Sequence, residues 1–151
     1  MLKAQRTSMW KTRYEISDGD TVVTVWDGNS WSIGGHFELD GHAYRVKANG
    51  WGSRYTMTDR HDRVVAEAER VYRKQWKVHA GGRTFEFKRD SVWRGGDEQL
   101  MDGDTVVGTV KRTSTWRGEF AADLPGLPPA VQVFVLGVVL TNYNAQAAAA
   151  A

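Results

Sequence analysis

The sequence predicts a mainly β fold: a closed barrel of about twelve strands, drawn from three repeats of about 42 residues, with a hydrophobic C-terminal helix through its centre. Three observations predict it. The hexapeptide DGDTVV stands at 18–23 and again at 102–107, with the related RHDRVV midway at 60–65. Short runs of alternating apolar and polar residues, separated by Asp-Gly or Gly-Gly pairs, fill the chain as far as Phe120. Beyond Phe120 that rhythm stops, and a Pro-Pro pair leads into a segment apolar on every side.

The repeat comes first because it fixes the element count. Asp20, Asp62 and Asp104 share a phase, as do Val22, Val64 and Val106. WKTRY at 10–14 returns as WGSRY at 51–55, with Trp93 one step further on. YRVK at 44–47 is echoed by FEFK at 85–88, and Trp31, Trp76 and Trp116 recur near the end of each unit. Several coincidences in one phase predict an ancient triplication. The chain has seven tryptophans in 151 residues. Large aromatics recurring at fixed places read as a shared core.

Within each unit the periodicity is that of a strand. The pairs Tyr14/Ile16, Tyr44/Val46, Tyr55/Met57 and Phe85/Phe87 each fall on one face at period two. Asp18-Gly19, Asp40-Gly41, Gly81-Gly82 and Asp102-Gly103 supply the positive φ that tight hairpins need. Each unit then yields about four short strands, the first being short at its N-terminal edge. Strand groups are expected near 1–35, 36–78 and 79–120, and closure would remove their edges. The acids of DGDTVV read as turn formers, since a calcium loop needs more oxygens, including a distal Glu.

The segment AADLPGLPPAVQVFVLGVVLTNYNAQAAAAA follows. Pro128-Pro129 suits a helix start and cannot sit inside a strand. From Ala130 to Leu140 only Gln132 and Gly137 are not apolar. A helix apolar all round must be buried, and a run this short reads as a core helix rather than a membrane span. A barrel of about eight strands already fills with side chains, so a larger one has room for such a plug. The helix is expected over about 130–143 with Gly137 close to the wall. One domain over 1–145 and a disordered Ala-rich tail over 146–151 complete the layout.

Composition narrows the function. There is no cysteine, so disulfides, thiolate metal sites and cysteine nucleophiles are excluded. The first residues, MLKAQRTSMWKTRYE, hold no apolar run, so no secretory signal is expected and the location read is cytoplasmic. Net charge is only +2, yet residues 70–94 hold Arg70, Arg73, Lys74, Lys77, Arg83, Lys88, Arg89 and Arg94 against Glu86 and Asp90. This stretch is the candidate site for anionic lipid or another phosphate-bearing partner. Nucleic acid is the less favoured partner. The aromatics between the cations, Trp76, Phe85, Phe87 and Trp93, alternate as core residues do rather than as a base-stacking platform.

The sequence carries no catalytic or metal-binding pattern. His36, His42, His61 and His79 show no paired ligand spacing, although His36 and His42 bracket a predicted hairpin. No nucleophile elbow or phosphate loop occurs. Asp97, Glu98, Asp102 and Asp104 cluster in sequence but read as turn acids. The reading is a non-enzyme with no cofactor and no metal site.

The stretch YTMTDRHDRVVAEAERVYRKQWKVHAGGRTFEF at 55–87 and the terminal PPAVQVFVLGVVL resemble the tubby C-terminal-domain-like superfamily, which includes phospholipid scramblases and LURP-one-related proteins. The resemblance implies a closed twelve-stranded barrel around a C-terminal helix and a link to membrane phospholipids or phosphoinositides. No binding residue carries over by motif. The cysteine-rich stretch of scramblases has no counterpart here. A β-trefoil carbohydrate-binding module is the rival reading. It too has three repeats, but its Gln-x-Trp signature is missing and it offers no place for the apolar helix. Peripheral contact with anionic lipid, without a transmembrane span, is the partner expected.

Overall fold

A computed structural model describes residues 1–7, 12–28, 33–90, 97–114 and 118–149. Twelve strands follow one another: β1 Leu2–Arg6, β2 Arg13–Asp18, β3 Thr21–Gly28, β4 Gly34–Leu39, β5 His42–Ala48, β6 Tyr55–Asp59, β7 Val64–Glu69, β8 Gln75–Ala80, β9 Arg83–Arg89, β10 Glu98–Asp102, β11 Thr105–Ser114 and β12 Glu119–Asp123. Each pairs antiparallel with the next, and β1 closes on β12 through Leu2↔Ala122, Lys3↔Ala121, Ala4↔Phe120 and Gln5↔Glu119. This is the closed barrel expected. Sequential strand order around an axial helix also differs from the trefoil alternative.

Alternation decides which side chains face inward. The expected pairs Tyr14/Ile16, Tyr55/Met57 and Phe85/Phe87 are buried, and Val46 is buried beside half-buried Tyr44. The outward faces carry Lys3, Glu15, Lys77 and Glu86, all exposed. Charge out and apolar in is the reverse of a bilayer-spanning barrel, whose outer band is apolar. Taken four at a time, the strands begin at Leu2, His42 and Arg83, so the first group has its full four. The hairpins β2–β3, β6–β7 and β10–β11 each carry a bulge, at Ile16/Ser17, Met57/Thr58 and Leu100/Met101. Val22, Val64 and Val106 are all exposed.

The two ends of the barrel differ. One end holds the tight turns the sequence marks, with Gly19 at φ 61° and Gly103 at φ 59°, a conformation that glycine adopts without penalty. The other end holds the longer connections, including 49–54 between β5 and β6 and 70–74 between β7 and β8. Segments 8–11, 29–32, 91–96 and 115–117 lie outside the described residues, and with them Trp10, Trp31, Trp93, Arg94 and Trp116.

The chain enters the barrel from the tight-turn end. Buried Leu124 and Leu127 lie just ahead of α1, Pro129–Ala149. Gln132 opens the helix, its amide donating to Pro128 O at 2.9 Å and its Nε2 to Leu127 O at 2.8 Å. Val133 through Val138 and Leu140 are all buried, so the helix is enclosed on every side. Burying a side chain such as Phe134, Leu136 or Leu140 stabilises by about 1.5–3 kcal/mol. No helix among the described residues is long and apolar enough to cross a membrane. The helix runs to Ala149, past the predicted end near 143. Alanine has the highest helix propensity, and it extends the helix through residues 146–149, which were expected to form a loose tail.

An α-helix about 10–12 Å across needs a wall of small residues somewhere. The helix lies nearest β3, β4 and β7, where Gly35, Ala66 and Ala68 lie on the inward faces. On β3 the Trp26 ring packs between two glycines. A Cβ on Gly35 of β4 or on Gly137 of α1 would overlap that ring. The close approach expected at Gly137 is therefore made to Trp26. At the far end Tyr14 and Asn144 share a hydrogen bond, and Arg112 Nη1 donates to the hydroxyl of Tyr143, whose ring meets Phe120 edge-on at 5.4 Å.

Candidate functional site

The β7–β8 turn carries three of the predicted cations. Arg70 adopts φ 60°, which turns the chain, and Arg73 N closes a turn on Arg70 O at 2.9 Å. Val71 points inward, 1% exposed, while Tyr72, Arg73 and Lys74 face solvent. Residues 70–74, RVYRK, contain no acid.

Beneath this turn lies Arg89. It was read as a surface cation, but it is 3% exposed and contributes nothing to the surface. Its position follows from β9, where Phe85, Phe87 and Arg89 share the inward face. The guanidinium donates through Nε to Glu98 Oε1 at 2.7 Å, through Nη1 to Arg73 O at 3.1 Å and through Nη2 to Val71 O at 2.8 Å. Glu98 Oε2 accepts from Trp76 Nε1 at 2.9 Å, and the Trp76 ring stacks on Phe87 at 4.5 Å. Arg89 N also donates to Lys74 O at 2.6 Å. A buried ion pair thus satisfies two carbonyls of the turn and fixes its shape. Glu98, read as a turn acid, is the partner that keeps Arg89 inside. It shares the inward phase of Leu100, the signal that would have found it.

The other predicted cations divide by place. Lys77 and Lys88 lie on the outer faces of β8 and β9, and Lys77 pairs with Glu86 at 3.9 Å. With Arg70, Gln75 and Asp104 they line a groove of about 320 Å³. Arg83 begins β9 at the tight-turn end, its guanidinium over the Phe85 ring at 4.9 Å. Five steps along the strand separate it from Lys88, about 17 Å. The structure therefore places Arg70, Arg73 and Lys74 on one rim and Lys77 and Lys88 on the adjoining wall, and leaves Arg83 at the far end and Arg89 in the core.

Sequence reasoning missed the neighbouring loop. Val71 N donates to Ser53 O at 3.0 Å, tying the β7–β8 turn to the β5–β6 connection. That connection is built around Asn49, whose Oδ1 accepts from Ser53 N at 2.9 Å and Arg54 N at 3.2 Å. Gly52, at φ 67°, donates to Asn49 O at 3.0 Å. Trp51 at its tip is 90% exposed. Trp26 and Trp76 fit the expectation of a tryptophan core, and Trp51 departs from it. Arg54 pairs with Glu69 at 3.6 Å, and Glu69 also meets His79 at 3.3 Å. The His79 hydrogen bond, with Arg54 and Arg70 nearby, holds the Glu69 carboxyl below the usual glutamate range despite some desolvation. Part of the rim's positive charge is balanced there.

A larger groove, about 680 Å³, lies on the outer wall over β3, β4 and β5. It exists because β3 and β4 pair only through Asp27↔His36 and Gly28↔Gly35. Beyond them the Thr24 hydroxyl bonds Glu38 O in place of a ladder bond. Its charges are mixed: Arg13, Arg45 and Lys47 with Glu38 and the pair Asp27–His36 at 3.8 Å. His36 stands opposite Arg45 and His42 opposite Leu39, so the two histidines sit three strand positions apart in register rather than face to face. Asp102 and Asp104 lie at the opposite end of β10 from buried Glu98, which separates the acids that cluster in sequence. No group of three or more His, Asp or Glu side chains among the described residues could hold a metal ion.

Comparison with known proteins finds no match to this chain among family models, curated proteins or solved structures.

Proposed function

We propose that this chain is a non-enzymatic binding or regulatory barrel that contacts anionic phospholipid or phosphoinositide headgroups from the cytoplasmic side, as a peripheral protein. One observation carries the reading: Arg70, Arg73 and Lys74 occupy a single acid-free turn whose backbone is clamped from below by the buried Arg89–Glu98 pair. A fixed cluster of cations meets phosphate groups without first losing loop entropy. Each basic group near an anionic surface contributes about 1 kcal/mol. Kinship with the tubby-like superfamily is part of the proposal. Its support is the architecture, twelve sequential antiparallel strands closed around an apolar C-terminal helix. Scramblase activity is not proposed, because the chain has no cysteine for the palmitoylated stretch of those proteins.

The test is co-sedimentation with vesicles of neutral phosphatidylcholine, with and without phosphatidylserine or a phosphoinositide. Binding should require the anionic lipid. It should fall steeply as salt rises from about 0.1 M to about 1 M, where the screening length shrinks from about 10 Å to about 3 Å. Absence of binding to anionic vesicles at low salt would overturn the reading.

A further inference from the structure

Among the described residues, Trp51 and Tyr72 are the aromatic side chains that the fold leaves exposed. They are 90% and 53% exposed, on adjacent connections at the same end of the barrel. Neither sits on a loose loop. The first is held by Asn49 and the second by Arg89, and Val71 N to Ser53 O joins the two connections. Holding an indole almost wholly in water forgoes the stabilisation that burial would bring. Exposed apolar patches rimmed by polar residues mark interaction surfaces.

The surroundings say what the surface meets. Arg70, Arg73 and Lys74 lie on the second connection, residues 49–54 and 70–74 contain no acid, and Arg54 is taken up by its pair with Glu69. The Arg73 guanidinium lies over the Tyr72 ring, 5.6 Å from its centroid. Trp and Tyr prefer the headgroup level of a bilayer, where one part of the ring is apolar and the other wet. Cations beside them reach lipid phosphates. The outer wall does not match this pattern. Its groove places Glu86 and Asp104 beside Lys77 and Lys88, so side-on docking would bring carboxylates against an anionic surface.

We infer that the barrel docks end-on, inserting Trp51 and Tyr72 into the headgroup region of an anionic bilayer while Arg70, Arg73 and Lys74 lie against the phosphates. This rests on the anionic-lipid reading above and adds to it an orientation and two apolar anchors. The helix axis then stands roughly along the membrane normal, with the tight-turn end facing away.

The absence of cysteine makes the orientation measurable. Three single-cysteine variants are labelled with a polarity-sensitive fluorophore. Gly50→Cys lies beside Trp51 with open space around it, Glu86→Cys lies on the wall, and Asp20→Cys lies on the tight-turn end. On adding phosphatidylserine vesicles the label at 50 should shift to the blue and brighten, and those at 86 and 20 should not. Trp51→Ala with Tyr72→Ala should weaken vesicle binding by about tenfold or more while keeping its salt dependence, as expected for losing apolar anchors. Binding without a change at 50, or with a change at 86, overturns end-on insertion and leaves the anionic-lipid reading standing. Binding by no variant, and none by the unlabelled chain, overturns both.

Discussion

The guanidinium of Arg89 meets the carboxylate of Glu98 at 2.7 Å with both side chains almost wholly out of water, 3% and 4% exposed. Each partner has further bonds, Arg89 to two carbonyls of the β7–β8 turn and Glu98 to the Trp76 indole. Breaking such a pair leaves a buried charge alone, which costs about 3–5 kcal/mol. Glu98→Gln and Arg89→Met should each lower unfolding free energy by about that amount in denaturant titrations. The double variant should lose less than the sum of the two, because the second substitution removes the orphaned charge. Additive losses would show that the pair does not act as a unit.

The Trp26–Gly137 contact sets how closely the helix approaches the wall. Gly137→Val would drive a side chain into the Trp26 ring, which is 1% exposed and backed by Gly35. Overpacking of this kind costs about 1–3 kcal/mol. The melting temperature should fall and the near-ultraviolet circular dichroism should change. Adding Trp26→Phe should recover part of the loss by making room. Unchanged stability in Gly137→Val would mean that the helix does not lie against Trp26.

Burial pushes the Tyr55 phenol up to about 12. Below pH 10 the phenol is protonated in both folded and unfolded chains and contributes no pH dependence. Above pH 10 the unfolded chain loses the proton while the folded chain holds it until about 12. Stability should therefore fall by about 2–3 kcal/mol across that window, since each pH unit corresponds to about 1.4 kcal/mol. Tyr55→Phe should remove this part of the alkaline loss, read as a flatter stability curve above pH 10. An identical curve in the variant would contradict the assignment.

The barrel and its plug were legible because both write themselves in periodicity. Alternation at Tyr55/Met57 and Phe85/Phe87 marked the inward face, Asp-Gly pairs marked the turns, and a run apolar on all sides after two prolines had no place but the interior. The site was legible only in part. Arg73 and Lys74 are where a charge count would put them. Arg89 belongs to the same run of cations but follows Phe85 and Phe87 in phase, and burial by phase prevailed over burial by residue type. What allows a charge there is Glu98, nine residues away in sequence and opposite Arg89 in the β9–β10 register. Pairing across strands is not visible in a single run of sequence. Trp51 misled in the other direction. Its place in the Trp-x-x-Arg-Tyr pattern suggested core, yet the Asn49 turn carries it out to the rim before β6 begins.

Functionally, the account stands on a difference between two ends of one molecule. Arg73 and Lys74 lie on the rim held by Arg89, and Arg83 lies at the opposite end, although all three belong to one basic stretch of sequence. The decisive measurement is the affinity for phosphatidylserine vesicles at low salt of the unmodified chain, of Arg73→Gln with Lys74→Gln, and of Arg83→Gln. The rim pair should lose up to about 2 kcal/mol, roughly thirtyfold, with an unchanged melting temperature. Arg83→Gln should bind as the unmodified chain does. Equal weakening in both variants would mean that charge acts without geometry, and binding that ignores the rim pair would contradict the account.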